Sequence, residues 1–116
     1  MDWKYLLTSF EGRINRAKFW AGVGVLIAIS IVLNVVDAIL GLQLAEGVGI
    51  LGAVFAIASI FFALAIYTKR WHDRDKSGWW NLIILVPVIG AIWLIVECGI
   101  LEGTRGPNRF GPDPLA

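Results

Sequence analysis

An all-α integral membrane fold follows from three features of this 116-residue chain. It carries three long apolar runs, it has 58% hydrophobic residues with a mean hydropathy of +0.74, and its charges gather between the runs instead of alternating with them. A bilayer core needs about 20 mostly apolar residues per helix. Residues 19–42, 48–68 and 79–101 each meet that requirement, so the sequence predicts three transmembrane helices in a single domain, 1–116. A soluble bundle of three helices that are apolar all round would offer water too little polar surface.

The elements follow in order. Trp3, Leu6, Leu7 and Phe10 recur at helical spacing, which predicts a short amphipathic helix at the membrane surface, broken at Gly12. The first run is longer than the 7–15 residues or so of a signal-peptide core and lacks an Ala-x-Ala site, favouring a retained anchor. Ala17, Ala21, Gly24 and Ala28 form a small-residue stripe, as do Gly52, Ala56, Ser59 and Ala63 in the second run. Two such faces predict close packing of the first two spans. A charged loop, 69–78, precedes the third span, where Pro87 predicts a kink beside Gly90 and Ala91. The tail, 102–116, is too rich in Gly and Pro for a regular helix. The single Cys98 excludes an intrachain disulfide and reads as a small buried apolar residue.

Charge sets the expected sidedness. Lys4, Arg13, Arg16 and Lys18 precede the first span, and Lys69, Arg70, Arg74 and Lys76 fill the loop between the second and third. The connection between the first two spans has no Lys or Arg. Basic residues near span ends stay cytoplasmic, which predicts a cytoplasmic N-terminus and, with three spans, an external C-terminus. Trp20, Tyr67, Trp71, Trp79 and Trp80 fall at the same span ends, as interfacial aromatic residues do.

Four polar residues interrupt the spans: Asn34, Asp37, Asn81 and Glu97. A rise of about 1.5 Å per residue puts Asp37 roughly 27 Å from Phe19, and Glu97 equally far from Trp79. Both carboxylates are thus expected near the outer interface, solvated there or lining the mouth of a small transporter or channel.

The loop admits several chemistries. Asp73 to Gly78 imitates the start of a calcium loop, but Ile84 stands where the bidentate Glu belongs. His72, Asp73 and Asp75 lack a second His or a Cys cluster for a metal, so no metal and no cofactor are expected. A catalytic set of Ser77, His72 and Asp73, as in a membrane-interface enzyme, lacks the nucleophile's usual surroundings. Two compatible readings remain. In one, Arg70, Arg74 and Lys76, with Arg13 and Arg16, bind anionic phospholipid, helped by a helix N-terminus capped by Ser77 or Asp75. In the other, Asp73 or Asp75 pairs with Arg13 or Arg16 and pins the first helix to the loop.

Phe10-Glu-Gly-Arg13-Ile-Asn-Arg16-Ala-Lys-Phe19-Trp20, then Arg70-Trp-His72-Asp73 with Ser77-Gly-Trp-Trp80, resembles the bacterial membrane-protein family known as domain of unknown function 805. The tail segment Gly106 to Pro114, with Asn108, Gly111 and Asp113, looks like that family's closing motif. Trp71 departs from the aliphatic residue usual before His-Asp. The resemblance implies a small multi-spanning inner-membrane protein and carries no activity, substrate or cofactor. The expected role is non-enzymatic: a basic cytoplasmic face engaging anionic lipid or a membrane partner, with a homo-oligomer possible and no nucleic acid involved.

Overall fold

The structure, a computed structural model, describes residues 2–115. Helix α1 (Trp3–Thr8) starts where the Asp2 carboxylate accepts from Tyr5 N at 3.0 Å, an N-cap contact. Its Leu6 is buried against Gly22 and Ile66, so the helix packs on the next two. Helix α2 (Arg16–Leu40) is capped by Asn15, whose side chain accepts from Lys18 N at 2.9 Å, and it ends at Gly41 in the left-handed conformation that glycine tolerates. Strands β1 (Gln43–Ala45) and β2 (Val48–Gly49) form a small antiparallel hairpin that turns the chain back.

Helix α3 (Ile50–Asp73) then runs beside α2. Its first turn has no side-chain cap of its own. The α2 carboxylate of Asp37 supplies one, accepting from Leu51 N at 3.0 Å and Gly52 N at 2.8 Å. An anion there also suits the positive end of the helix dipole. Both α2 and α3 are long and apolar enough to cross a membrane, and only 11% and 17% of their most apolar windows are buried within the molecule. Core helices of a soluble protein would be mostly covered, so these faces belong in lipid. The packing face follows the expected stripes only in part. Gly24 meets nothing and Ala28 and Ala56 are exposed, whereas Gly22 lies under Ile66 and Gly52 against Asn34.

The third apolar run departs from the expected continuous span. It comprises a 3₁₀ segment (Gly78–Leu85), a turn at Val86–Val88, helix α4 (Ile89–Leu94) and a π-helical turn (Ile95–Ile100). Pro87 does more than kink the run. With Val88 at φ 64°, it reverses the chain, and the returning arm passes so close that a Cβ at Gly90 would overlap the Ile83 carbonyl. The eight residues of the 3₁₀ helix rise about 2.0 Å each, or roughly 16 Å in all, half of a core about 30 Å thick. Among the described residues, two helices therefore have the length to span, and the third run is a hairpin that returns to the end it left.

The charged segment differs too. Residues expected in a loop from position 69 form the last turn of α3, which continues to Asp73. Trp71, expected at the interface, is fully buried in the core.

Candidate functional site

The end of α3 carries Lys69, Arg70, Trp71, His72 and Asp73, all buried. Buried charges survive only with partners, and each of these has them. Asp73 pairs with Arg13 at 3.0 Å through one oxygen and with Arg70 through the other. Arg70 also donates to the Cys98 carbonyl at 2.6 Å and to the Leu101 carbonyl. Lys69 reaches the Leu6 carbonyl at 2.8 Å and that of Ser9, which ties α1 to α3. The His72 ring meets the Gly12 carbonyl through Nδ1 at 2.9 Å. Trp71 donates to Asn81 at 2.9 Å, and Asn81 donates on to Thr68 at 2.8 Å, which fastens the 3₁₀ arm to α3.

The tail closes over this knot. Arg13 donates to the carbonyls of Thr104 (2.6 Å), Gly106 (2.8 Å) and Gly111 (3.1 Å). Thr104 N donates to the Asp73 carbonyl at 2.6 Å, and Asn108 Nδ2 to that of His72 at 2.9 Å, which also accepts from Asp75 N, so the tail is bonded to the last turn of α3. Phe110 stacks on the His72 ring at 3.9 Å and 3°. Arg109 pairs with Asp75 at 3.3 Å. Gly103 lies so close to the Asp73 carboxylate that any Cβ would overlap it. An external tail separated by a bilayer from His72 and Asp73 is thus corrected: Asn108, Gly111 and Asp113 share their end of the molecule. The expectation failed because it assumed that the third run crosses.

The returning arm of the hairpin is held at the same end. Trp20 Nε1 donates to the Gly99 carbonyl at 2.9 Å and Arg16 to that of Ile100 at 2.8 Å. Glu97, expected near the outer interface, instead receives Arg74 at 2.9 Å and Lys76 at 2.6 Å, and the Lys76 ammonium also sits 4.8 Å from the Trp80 ring. Asp37 lies at the opposite end, about 25 Å away by the helical rise from Trp20. The two carboxylates therefore do not line one mouth. Asn34 turns back on its own helix, donating to the Ser30 carbonyl at 2.7 Å. Neither Ser77 nor Asp75 caps a helix: Ser77 makes no side-chain cap contact, and Asp75 sits at φ 59° in the turn.

In the tail itself, Asp113 accepts from Leu115 N at 2.9 Å and Gly106 N at 2.8 Å, and these backbone donors hold its carboxyl below the usual aspartate range. Lys69 and Trp20, read from sequence only as marks of sidedness, and Thr104 and Phe110, read only as part of the tail, are each a fastening of the knot. Their one visible signal was position, within or beside the three motifs. Chemically, the knot holds segments together. The Asp73 carboxylate is shared by two guanidiniums, the His72 ring is covered by Phe110, and neither residue lines the surface groove between α2 and α3 or that between Phe10, α3 and the 3₁₀ arm.

Two helices long and apolar enough to span, a returning apolar hairpin and a polar knot that gathers α1, the end of α3, the third run and the tail define a small integral membrane protein. The chain belongs to the family described as protein of unknown function DUF805, whose model matches residues 7–112. Among its relatives, inner membrane protein YhaH of Escherichia coli K12 is 42% identical over 120 residues, covering 98% of this chain and 97% of the relative. Inner membrane protein YhaI of the same strain is 37% identical over 105 residues, covering 90% and 85%, and uncharacterized protein YiiR is 28% identical over 132, covering 92% and 86%. No solved structure matches.

Proposed function

We propose that the protein is a non-enzymatic inner-membrane element with two spans, both chain ends cytoplasmic, and a basic rim that engages anionic phospholipid. One observation carries this reading. All ten Lys and Arg residues lie on segments at the knot end, against seven of the nine acids, while the β-hairpin end keeps only Asp37 and Glu46. Such a bias supports a cytoplasmic knot. It also accounts for Arg105 and Arg109, which a three-span topology would strand outside. Helix α1, with Trp3 exposed and Leu6 buried, then lies along the cytoplasmic surface.

Eight of the basic residues divide into two sets, and the other two, Arg105 and Arg109, pair at the surface with Glu102 and Asp75. Arg13, Lys69 and Arg70 have their donors committed inside the knot, so their role is to hold the fold. Lys4, Arg16 and Lys18, with part of Arg74 and Lys76, face outward, and each such charge near an anionic surface contributes about 1 kcal/mol. Thermal unfolding in nanodiscs of matched acyl chains tests the reading. Phosphatidylglycerol should raise the midpoint above phosphatidylcholine, the gain should shrink as salt rises, and the Lys4→Gln, Arg16→Gln, Lys18→Gln chain should lose most of it. Equal midpoints in both lipids would refute lipid engagement.

A further inference from the structure

We infer that residues 78–100 are a wedge for one leaflet: an interaction surface whose partner is the hydrocarbon of a single, convex monolayer. This rests on the membrane-embedded, two-span reading above. Its first support is anchoring. The 3₁₀ arm leaves the knot beside Asn81, which receives Trp71, and the π-helical arm returns to it through Glu97, Cys98 and Gly99. Both ends of the hairpin are therefore fixed at one face, and its tip lies about 16 Å deep by the rise of its 3₁₀ arm.

Its second support is surface chemistry. Leu85, Val88 and Ile89 are 74%, 72% and 62% exposed, and no polar side chain occurs between Leu82 and Val96. Apolar surface of that extent, at that depth in a membrane protein, is covered by acyl chains. Lipid requires backbone groups to be bonded internally, and most amides of the turn are: Val86 N donates to Ile83 O at 3.0 Å, Ile89 N to Pro87 O at 2.7 Å, Gly90 N to Val86 O at 2.9 Å and Ile92 N to Val88 O at 3.1 Å.

The third support is asymmetry. On the knot side the molecule displaces lipid with α2, α3 and both arms. On the far side it has only α2, α3 and a five-residue pair of short strands. The arms are also stiff, because Gly90 lets them touch and Trp80 stacks on Trp93 at 6.4 Å. A rigid body broader in one leaflet fits best where that leaflet is convex and loosely packed, the same preference that makes inserted amphipathic helices curvature-sensitive.

The test uses the full chain in giant vesicles from which narrow membrane tethers are pulled outward. Cys98→Ser, Arg105→Cys protein carries a dye at the knot, and a membrane-impermeant quencher reports which molecules face out. Outward-facing molecules should show a tether-to-vesicle density ratio above unity, and inward-facing ones a ratio below unity. A spin label at Val86, introduced as Val86→Cys, reports tip depth in the same lipid. Mid-bilayer depth with no orientation-dependent sorting would overturn the wedge and leave the two-span reading intact. A second label, introduced as Ile100→Cys, that reports the far headgroups instead of the knot-side headgroups would overturn both.

Discussion

The pair α2–α3 and the run 78–100 begin from nearly the same sequence property and end differently. All three runs are long and apolar, yet two become continuous helices and the third folds back on itself. The ends of each run explain the difference. At the far end of α2 and α3, Asp37 and the β-hairpin close the connection and nothing basic is present. Both ends of the third run, by contrast, are tied by side-chain bonds to the same buried cluster, through Asn81 on one arm and Glu97, Cys98 and Gly99 on the other. Hydropathy establishes that a run prefers lipid. Which face each end belongs to is decided by polar contacts.

The comparison breaks most severely at Asp73. Asp73→Asn would leave the buried guanidiniums of Arg13 and Arg70 without a counter-charge. Losing one partner of a buried ion pair costs about 3–5 kcal/mol. Unfolding in mild detergent should show a loss of that size, with the tail and hairpin releasing together. A loss below about 1 kcal/mol, the range of surface pairs, would mean that the knot does not hold the third run.

A smaller effect separates the two ends. Glu97→Gln weakens the contacts from Arg74 and Lys76 and should cost about 1.5–3 kcal/mol, as for hydrogen bonds to charged groups. Hydrogen exchange should then quicken in the hairpin and not at the start of α3. Asp37→Ala removes a cap worth about 0.5–2 kcal/mol and should do the reverse, exposing Leu51 and Gly52 amides while leaving the hairpin protected. Parallel changes in both regions would deny that they are fastened independently.

The smallest effect is a pH response confined to the tail. The folded Asp113 carboxyl titrates below its ordinary value of 3.8 because Leu115 N and Gly106 N donate to it. Its stabilisation is thus complete above that ordinary value and is lost as pH falls through the lower folded value. Amide resonances of Gly106 and Leu115 should shift in that acid window, and Asp113→Asn should abolish the shift.

Much of this was legible in the residues. The apolar runs identify α2 and α3, and the three motifs contain nearly every residue of the knot. The convergence of those motifs was not legible. Arg13 reaches carbonyls of Thr104, Gly106 and Gly111, groups every residue possesses and no composition reveals. Trp71 reads as interfacial by type and neighbourhood, and only packing against Trp80 and Asn81 makes it core. One signal was present and underweighted. Moving the tail inside would put Arg105 and Arg109 with the other eight basic residues, a better fit to the charge rule than three spans allow.

The central claim is that the third apolar run does not cross the membrane. Single cysteines introduced as Glu46→Cys, Asp75→Cys and Arg105→Cys in a Cys98→Ser chain, labelled with an impermeant thiol reagent in intact and opened cells, test it most directly. All three positions are exposed. The account predicts that position 46 labels in cells whose outer membrane alone is permeable, and that 75 and 105 label together only after the inner membrane is opened. Labelling of 105 alongside 46, with 75 protected, would contradict it and restore a third span.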